Sequence, residues 1–301
     1  MSLAALADKQ VTVLADGTER WHSRGVLITG GTGFLAKGLV RKLLAEGCPR
    51  ICVYSRGEFA QARMRREFND EPRLRWFIGD VRDRDRLEIA VDGVGAVIHA
   101  AALKRIEVGA SNPGEMVKTN VTGSQNVIEA CRRHGVARVL LVSSDKAFEP
   151  ISPYGQTKAL AESLFLSANE AYPSGPRFAV VRYGNVFGST GSVFPLWREM
   201  IAYGAQSVPV TSPDATRFFM RLEEAVALVT DTLRMMVGGE VNVPTLPAYR
   251  VADLVEALDV GMRIVGMNKW EKLHESMCEG NCSKDARRMT VNELRAEIQA
   301  A

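Results

Sequence analysis

A run of glycines set between an apolar segment and an amphipathic one constrains this chain more than any other feature. Val26-Leu27-Ile28 has the branching of a buried strand, and Phe34 to Ala45 repeats its apolar positions at helical spacing. Between them stands Gly30-Gly31-Thr32-Gly33. Glycine lets the backbone turn sharply and approach a bound group closely, and the helix that follows offers unpaired N–H groups and the positive end of its dipole. Strand, glycine turn and helix in that order predict a dinucleotide-binding βαβ unit, whereas glycines elsewhere would make only a turn. Gly30, Thr32, Gly33, Phe34 and Leu35 form the expected cofactor cradle. Ala36 stands where the motif often has a third glycine and is small enough to keep helix and strand close.

The same rhythm continues downstream. Ile51–Tyr54, Leu74–Ile78, Gly95–His99, Arg138–Val142 and Phe178–Val181 read as further strands, with helices over Pro113–Arg133 and Tyr154–Tyr172. Alternating strands and helices predict an α/β fold: a doubly wound parallel-sheet Rossmann domain with a smaller C-terminal substrate-binding lobe. After Arg182, Pro195, Pro209, Pro213, Pro244 and Pro247 cut the chain into short pieces around one good helix near Leu222–Met236. The expected division is an N-terminal extension over 1–24, a Rossmann domain over 25–185 to which part of 216–243 returns, and a mainly substrate-binding lobe over 186–301. Asp16-Gly17 suggests a hairpin in the extension, and Thr290 with Glu293 forms a capping box that starts a last helix.

Bulk properties narrow the function classes. A net charge of +3 over 301 residues gives no basic footprint for nucleic acid. The five cysteines are too scattered for a disulfide framework, and Cys278 and Cys282 lack His or Cys partners at ligand spacing, so no metal site is expected. No apolar run approaches the roughly 18–20 residues that span a bilayer. The segment from Met1 to Arg24 has no signal-peptide core. Reduced thiols and a cytoplasmic location are the expectation.

The end of the second strand discriminates between cofactors. A carboxylate there would bind the ribose diol of NAD, but the chain has Tyr54-Ser55-Arg56, a hydroxyl and a guanidinium suited to a 2′-phosphate. NADP is therefore expected in preference to NAD, although an exposed arginine with no ligand would look the same. Asp80 and Val81 follow the third strand, where adenine would lie. Ala100, Ala101 and Ala102 follow the fourth and leave room for the dinucleotide, though small residues also pack tight turns.

The most specific stretch is Ser143-Ser144-Asp145-Lys146 followed by Tyr154-Gly155-Gln156-Thr157-Lys158. Tyr154 and Lys158 are four residues apart and share one helix face. A tyrosine is a poor base at its ordinary pKa of about 10, so a neighbouring ammonium that favours the phenolate is what the pair would supply. A lone Tyr-x-x-x-Lys is more often part of a surface helix. Its place after the fifth strand, downstream of the glycine turn, argues for chemistry.

These residues resemble the extended short-chain dehydrogenase/reductase superfamily and, more narrowly, the inverting UDP-N-acetylglucosamine 4,6-dehydratases of pseudaminic acid biosynthesis. The likeness is carried by Val53-Tyr54-Ser55-Arg56, Phe77 to Asp83, His99 to Lys104, Lys118-Thr119-Asn120, Ser144 to Ala147 and Arg182 to Val186. Gly191-Ser192-Val193, Thr216-Arg217-Phe218 and Glu271 to Glu275 continue it, so that it runs from Gly25 to about Glu275. The resemblance implies that Tyr154, aided by Lys158 and Ser144, takes the proton from the sugar O4 as C4 is oxidised by NADP+. Lys146 then removes the C5 proton, Asp145 protonates the departing C6 hydroxyl, hydride returns to C6, and C5 is reprotonated on the opposite face. Lys146 would have to be neutral, which requires a lowered pKa. The resemblance adds Lys104 and Asn120 to the cofactor contacts and places Lys104, Asn185, Val193, Arg217 and Glu271 at the UDP-sugar, with Lys269 as a less directional charge in place of an arginine usual in the family. It also implies a homo-oligomer, a dimer or hexamer, through the helices at about Pro113–Arg133 and Tyr154–Tyr172. One departure stands out: Asn268-Lys269-Trp270 replaces an Arg-Pro-Gly usual in the family, removing an arginine expected at the diphosphate. A nucleotide-sugar 4-epimerase and a non-catalytic NADP-sensing protein are the competing readings.

Overall fold

The apolar runs become parallel strands because alternate residues can be buried on opposite faces of one sheet. The computed structural model describes residues 24–301, so the hairpin expected near Asp16-Gly17 and the rest of the extension lie outside the described residues. In chain order come β1 (Val26–Thr29), α1 (Phe34–Ala45), β2 (Ile51–Ser55), α2 (Glu58–Glu67), β3 (Leu74–Ile78) and α3 (Arg84–Val91). Next are β4 (Ala96–His99), α4 (Ile106–Ser111), α5 (Pro113–Met116), a π-helical segment (Val117–Thr122), α6 (Gly123–Arg133) and β5 (Arg138–Val142). A 3-10 turn (Asp145–Ala147), α7 (Pro153–Ala171) and β6 (Arg177–Val181) close this half.

The C-terminal half contributes α8 (Val193–Ala202), β7 (Ser207–Val210), β8 (Thr216–Phe218), α9 (Leu222–Met235), β9 (Val241–Asn242), β10 (Ala248–Arg250) and α10 (Val251–Ala257). It ends with β11 (Gly261–Ile264), β12 (Ser276–Cys278), β13 (Asn281–Cys282) and α11 (Val291–Ala300). The main sheet has seven strands in the order β3-β2-β1-β4-β5-β6-β9, all parallel. This is the doubly wound order with one strand added, and its switch point lies between β1 and β4, where ligands bind at the strand ends. The seventh strand was not expected, because two residues carry no periodicity of their own.

The two faces of the sheet carry separate cores. Ile28, Val53, Ile98, Leu140 and Val181 pack with Leu39 and Leu43 of α1 and Val229 and Leu233 of α9. Leu27, Val97, Val139, Leu141 and Val180 point the other way, onto Val91, Val127, Cys131 and Phe165 of α3, α6 and α7. A third core joins Trp197, Val208, Phe219, Tyr249, Leu254 and Leu294 beneath the C-terminal elements. Each such side chain removed from water contributes roughly 1.5–3 kcal/mol. The capping box forms as expected: Thr290 Oγ1 accepts from the Glu293 N–H at 3.2 Å and a Glu293 carboxylate oxygen accepts from the Thr290 N–H at 2.7 Å.

The helix expected over Pro113–Arg133 needs a correction. It is interrupted by the π-helical turn, whose Asn120 side chain is drawn out of the helix face to bond another segment. Such one-residue bulges recur at functional sites. All five cysteines are free, and among the described residues no cluster of three metal-ligating side chains occurs and no helix is long and apolar enough to cross a membrane.

Candidate active site

The carboxyl ends of β1, β2, β4 and β5 open onto one cavity of about 620 Å³, lined from Gly30 around to Ser192. At one end the chain turns through Gly30, whose φ of +66° suits glycine, and starts α1 at Gly33. No side chain caps that helix and no acidic residue stands in its first turn, so its N–H groups are open to an anion. Gly30, Thr32, Gly33, Phe34 and Leu35 all line the cavity, together with Ser55, Arg56, Asp80, Val81, Ala100, Ala101, Ala102 and Lys104. The residues present therefore fit the pyrophosphate and adenosine of a dinucleotide.

Details beside the adenosine end differ from expectation. Ser55 Oγ already accepts from Gln61 Nε2 at 3.0 Å. The Asp80 carboxylate is held by Arg82 at 2.7 Å and faces Arg56 at 3.8 Å. Burial alone would raise the Asp80 pKa, but the two guanidiniums and the Arg82 N–H keep it below the ordinary value. Asn120, expected at the cofactor, does not line the cavity. Its amide accepts from Leu103 N, donates to Leu103 O and donates to Thr157 Oγ1, at 2.8–3.0 Å. It braces the Ala100–Lys104 loop against α7, and its neighbour Thr119 reaches the cavity instead.

At the other end the strand termini set the chemistry. Ser143 N–H donates to Val181 O at 2.8 Å and Asp145 N–H donates to Tyr183 O at 3.0 Å, continuing the β5–β6 ladder into the 3-10 turn. Ser152 caps α7 by accepting from the Gly155 N–H at 3.1 Å, with Pro153 in the first helical turn, so Tyr154 enters the helix at a fixed angle. Gly155 has to be glycine, since a Cβ there would sit 2.2 Å from the Lys146 carbonyl oxygen. Helix and turn are in backbone contact, which brings Ser144, Asp145, Lys146, Tyr154 and Lys158 to one wall of the cavity.

Their electrostatics correct two expectations. Lys146 Nζ lies 3.1 Å from Asp145 Oδ1 and 3.3 Å from Glu275 Oε1. Burial alone would favour the neutral amine, but the two carboxylates outweigh it, with Arg217 opposing them, and hold the Lys146 pKa above the ordinary lysine range. Tyr154 also sits above its ordinary value, mainly through burial, while a hydrogen bond with Ser144 and the Lys146 charge pull the other way. Lys158 spends its proton on the Val142 carbonyl at 2.7 Å, and burial lowers its pKa to about 8 against the charge of Glu162. Ser144 Oγ donates to Asp145 Oδ1 at 2.8 Å, tying the turn together.

Of the residues expected at the sugar nucleotide, Lys104 and Asn185 line the cavity, and burial lowers the Lys104 pKa. Val193, Arg217, Lys269 and Glu271 do not line it. Val193 begins α8 just past Ser192 and Gly191, which do. Arg217 and Glu271 pair with each other at 2.7 Å, and Thr211 completes the carboxylate's shell at 2.8 Å. Lys269 lies over the Trp270 ring, 4.6 Å from its centre.

Two parts of the site were missed. Glu162, one turn beyond Lys158, binds Ser143 and Arg182 beneath this wall of the cavity; its spacing of four from Lys158 was the available signal. Glu275 had no local signal, because its partner Lys146 is far away in sequence.

The polysaccharide biosynthesis protein family model matches residues 26–294. The chain is 43% identical over 267 residues to a UDP-N-acetylglucosamine 4,6-dehydratase (inverting) of Campylobacter jejuni, covering 87% of this chain and 80% of that one. It is 36% identical to a UDP-glucose 4-epimerase of Rickettsia rickettsii, covering 84% and 76%. Among solved structures, Pen from Bacillus thuringiensis superposes with a TM-score of 0.88 at 31% identity, covering 93% of this chain and 99% of that chain. A match over nearly the whole described chain, together with relatives of this similarity, means that the protein belongs to the polysaccharide biosynthesis protein family.

Proposed function

We propose that this chain is a 4,6-dehydratase of UDP-N-acetylglucosamine that inverts C5 and works with bound NADP. The observation that carries the reading is the Asp145–Lys146 pair, held beside Tyr154 on the wall of a cavity whose other end is a dinucleotide cradle. A relative 43% identical bears the name of that activity. When bound, a nicotinamide would supply the hydride acceptor for C4 and the hydride donor for C6. Tyr154, hydrogen-bonded with Ser144, takes the O4 proton, and the ketone formed at C4 acidifies the C5 hydrogen. A proton passed from the Lys146 ammonium to Asp145, 3.1 Å away, leaves the free amine that removes that hydrogen and the carboxylic acid that protonates the C6 oxygen, so that water leaves. Arg56 beside Ser55, with no carboxylate at the tip of β2, supports NADP over NAD.

The reading assigns 25–185 with part of 216–243 to the cofactor and most of 186–301 to the sugar nucleotide. What supports it is that α9 packs on α1 and β9 joins the sheet beside β6. A homo-oligomer built on the helical face around Pro113–Arg133 and Tyr154–Tyr172 is part of the same proposal. Val117 and Leu160 there leave apolar side chains 47% and 50% exposed. The epimerase reading has its own support in the relatives named UDP-glucose 4-epimerase. Incubation with UDP-N-acetylglucosamine and mass spectrometry separates the two: loss of one water is expected, and a product of unchanged mass overturns the dehydratase.

A further inference from the structure

Glu275 performs none of the steps above and does not line the cavity, yet it is 2% exposed and in contact with the group read as the C5 base. Its backbone is fixed from both sides: the Glu275 N–H donates to Ser283 Oγ at 2.9 Å, and the Ser283 N–H donates to Glu275 O at 2.8 Å. Ser283 Oγ is in turn 2.7 Å from Thr216 Oγ1, and Thr216 N–H donates to Leu273 O at 2.9 Å. Strand β8 and the segment flanking the β12–β13 hairpin therefore fix the backbone from which this carboxylate projects. A buried carboxylate is strongly destabilising unless it is paired, and Lys146 supplies the pairing. Glu275 Oε2, like Asp145 Oδ2, is buried with no hydrogen-bond partner, so Lys146 is the one charged group this carboxylate is seen to meet.

A second carboxylate beside Lys146 has a reason in the chemistry. Asp145 must carry a proton to act as the acid at C6, and once neutral it no longer holds the ammonium. Glu275 keeps its place throughout. We propose that Glu275 is a positioning residue for the dehydration, fixing where Lys146 presents its amine and the pH at which that amine becomes free. The proposal rests on the reading of Lys146 as the C5 base. The groups facing Lys146 are Asp145 on its own turn, Glu275 on the 273–283 segment, Arg217 on β8, Tyr154 on α7 and Tyr249 on β10. Of these, Glu275 is the carboxylate that the proposed reaction does not itself protonate.

The test is competitive acetylation of Lys146 with acetic anhydride across a pH series, read by peptide mass spectrometry in the full chain without substrate. Glu275→Gln keeps the shape and removes the charge. Its Lys146 labelling midpoint is expected to fall by about one pH unit or more, a tenfold rise in free amine at any lower pH, and Glu275→Asp is expected to return it toward the parent value. With substrate, the pH profile of solvent deuterium entry at C5, normalised to its own plateau, moves in the same direction. Oxidation at C4, trapped with borodeuteride, keeps its profile. An unchanged midpoint in Glu275→Gln overturns the proposal, as does a loss of C4 oxidation and C5 exchange together with no shift in either profile. If the parent enzyme dehydrates nothing, the functional reading fails while the labelling experiment still decides the role of Glu275.

Discussion

Replacing Lys158 by methionine isolates the energetic consequence of burying this lysine. Its side chain is nine-tenths or more enclosed, its one hydrogen bond goes to the Val142 carbonyl, and its pKa is lowered from 10.5 to about 8. At roughly 1.4 kcal/mol per pH unit, that difference is about 3 kcal/mol of stability. Below pH 8 both the folded and unfolded chains carry the ammonium, and the folded state bears the whole burial penalty. Between about pH 8 and pH 10.5 the folded chain has lost the proton while the unfolded chain still holds it, so stability rises with pH. The variant has no such step. Urea unfolding of both proteins across this range is therefore expected to give a difference, parent minus Lys158→Met, that climbs by about 3 kcal/mol. Near neutrality the difference should be small, because the variant is relieved of the penalty but loses a charged hydrogen bond that contributes about 1.5–3 kcal/mol. A difference that stays flat, or falls with pH, would refute the assignment of a depressed pKa to Lys158.

Asp145→Asn should leave oxidation at C4 within a fewfold of the parent and lower the appearance of the dehydrated sugar by about 10²–10⁴, since it removes a general acid; equal losses in both steps would place Asp145 outside the C6 chemistry. Arg56→Glu should reverse the cofactor preference, with the Kd for NADP rising roughly tenfold or more as a charge-assisted phosphate contact is replaced by repulsion, while the Kd for NAD falls. Unchanged Kd values for both would remove Arg56 from the 2′-phosphate site.

Most of the parallel sheet was legible because its strands are continuous apolar runs, and such runs are what a sheet covered on both faces requires. β3, β5 and α1 begin and end where the pattern places them. The polar helices α2 and α3 and the two-residue β9 carried no such pattern; they exist because the sheet needs covers and an edge. The glycine cradle and the Tyr154–Lys158 spacing were legible because each is a local geometry written within a few residues. Charge state was not legible. The base role asked for a Lys146 pKa lowered by burial and a cationic neighbour; Asp145 beside it and Glu275, which arrives from far along the chain, instead hold that pKa above the ordinary lysine range. Arg217 and Glu271, each expected at the nucleotide, satisfy one another for the same reason: pairing across sequence distance outweighs an assignment made one residue at a time.

The account turns on a hydride that leaves C4 and returns to C6 of the same sugar. Turnover of UDP-N-acetylglucosamine labelled with deuterium at C4, mixed with unlabelled substrate in water, measures this by mass spectrometry and NMR of the product. The expected result is a dehydrated 4-keto sugar carrying the label at C6, within the molecule that brought it, and a solvent-derived hydrogen at C5. Label found again at C4 of a product that has kept its water, or lost to the medium, would contradict it.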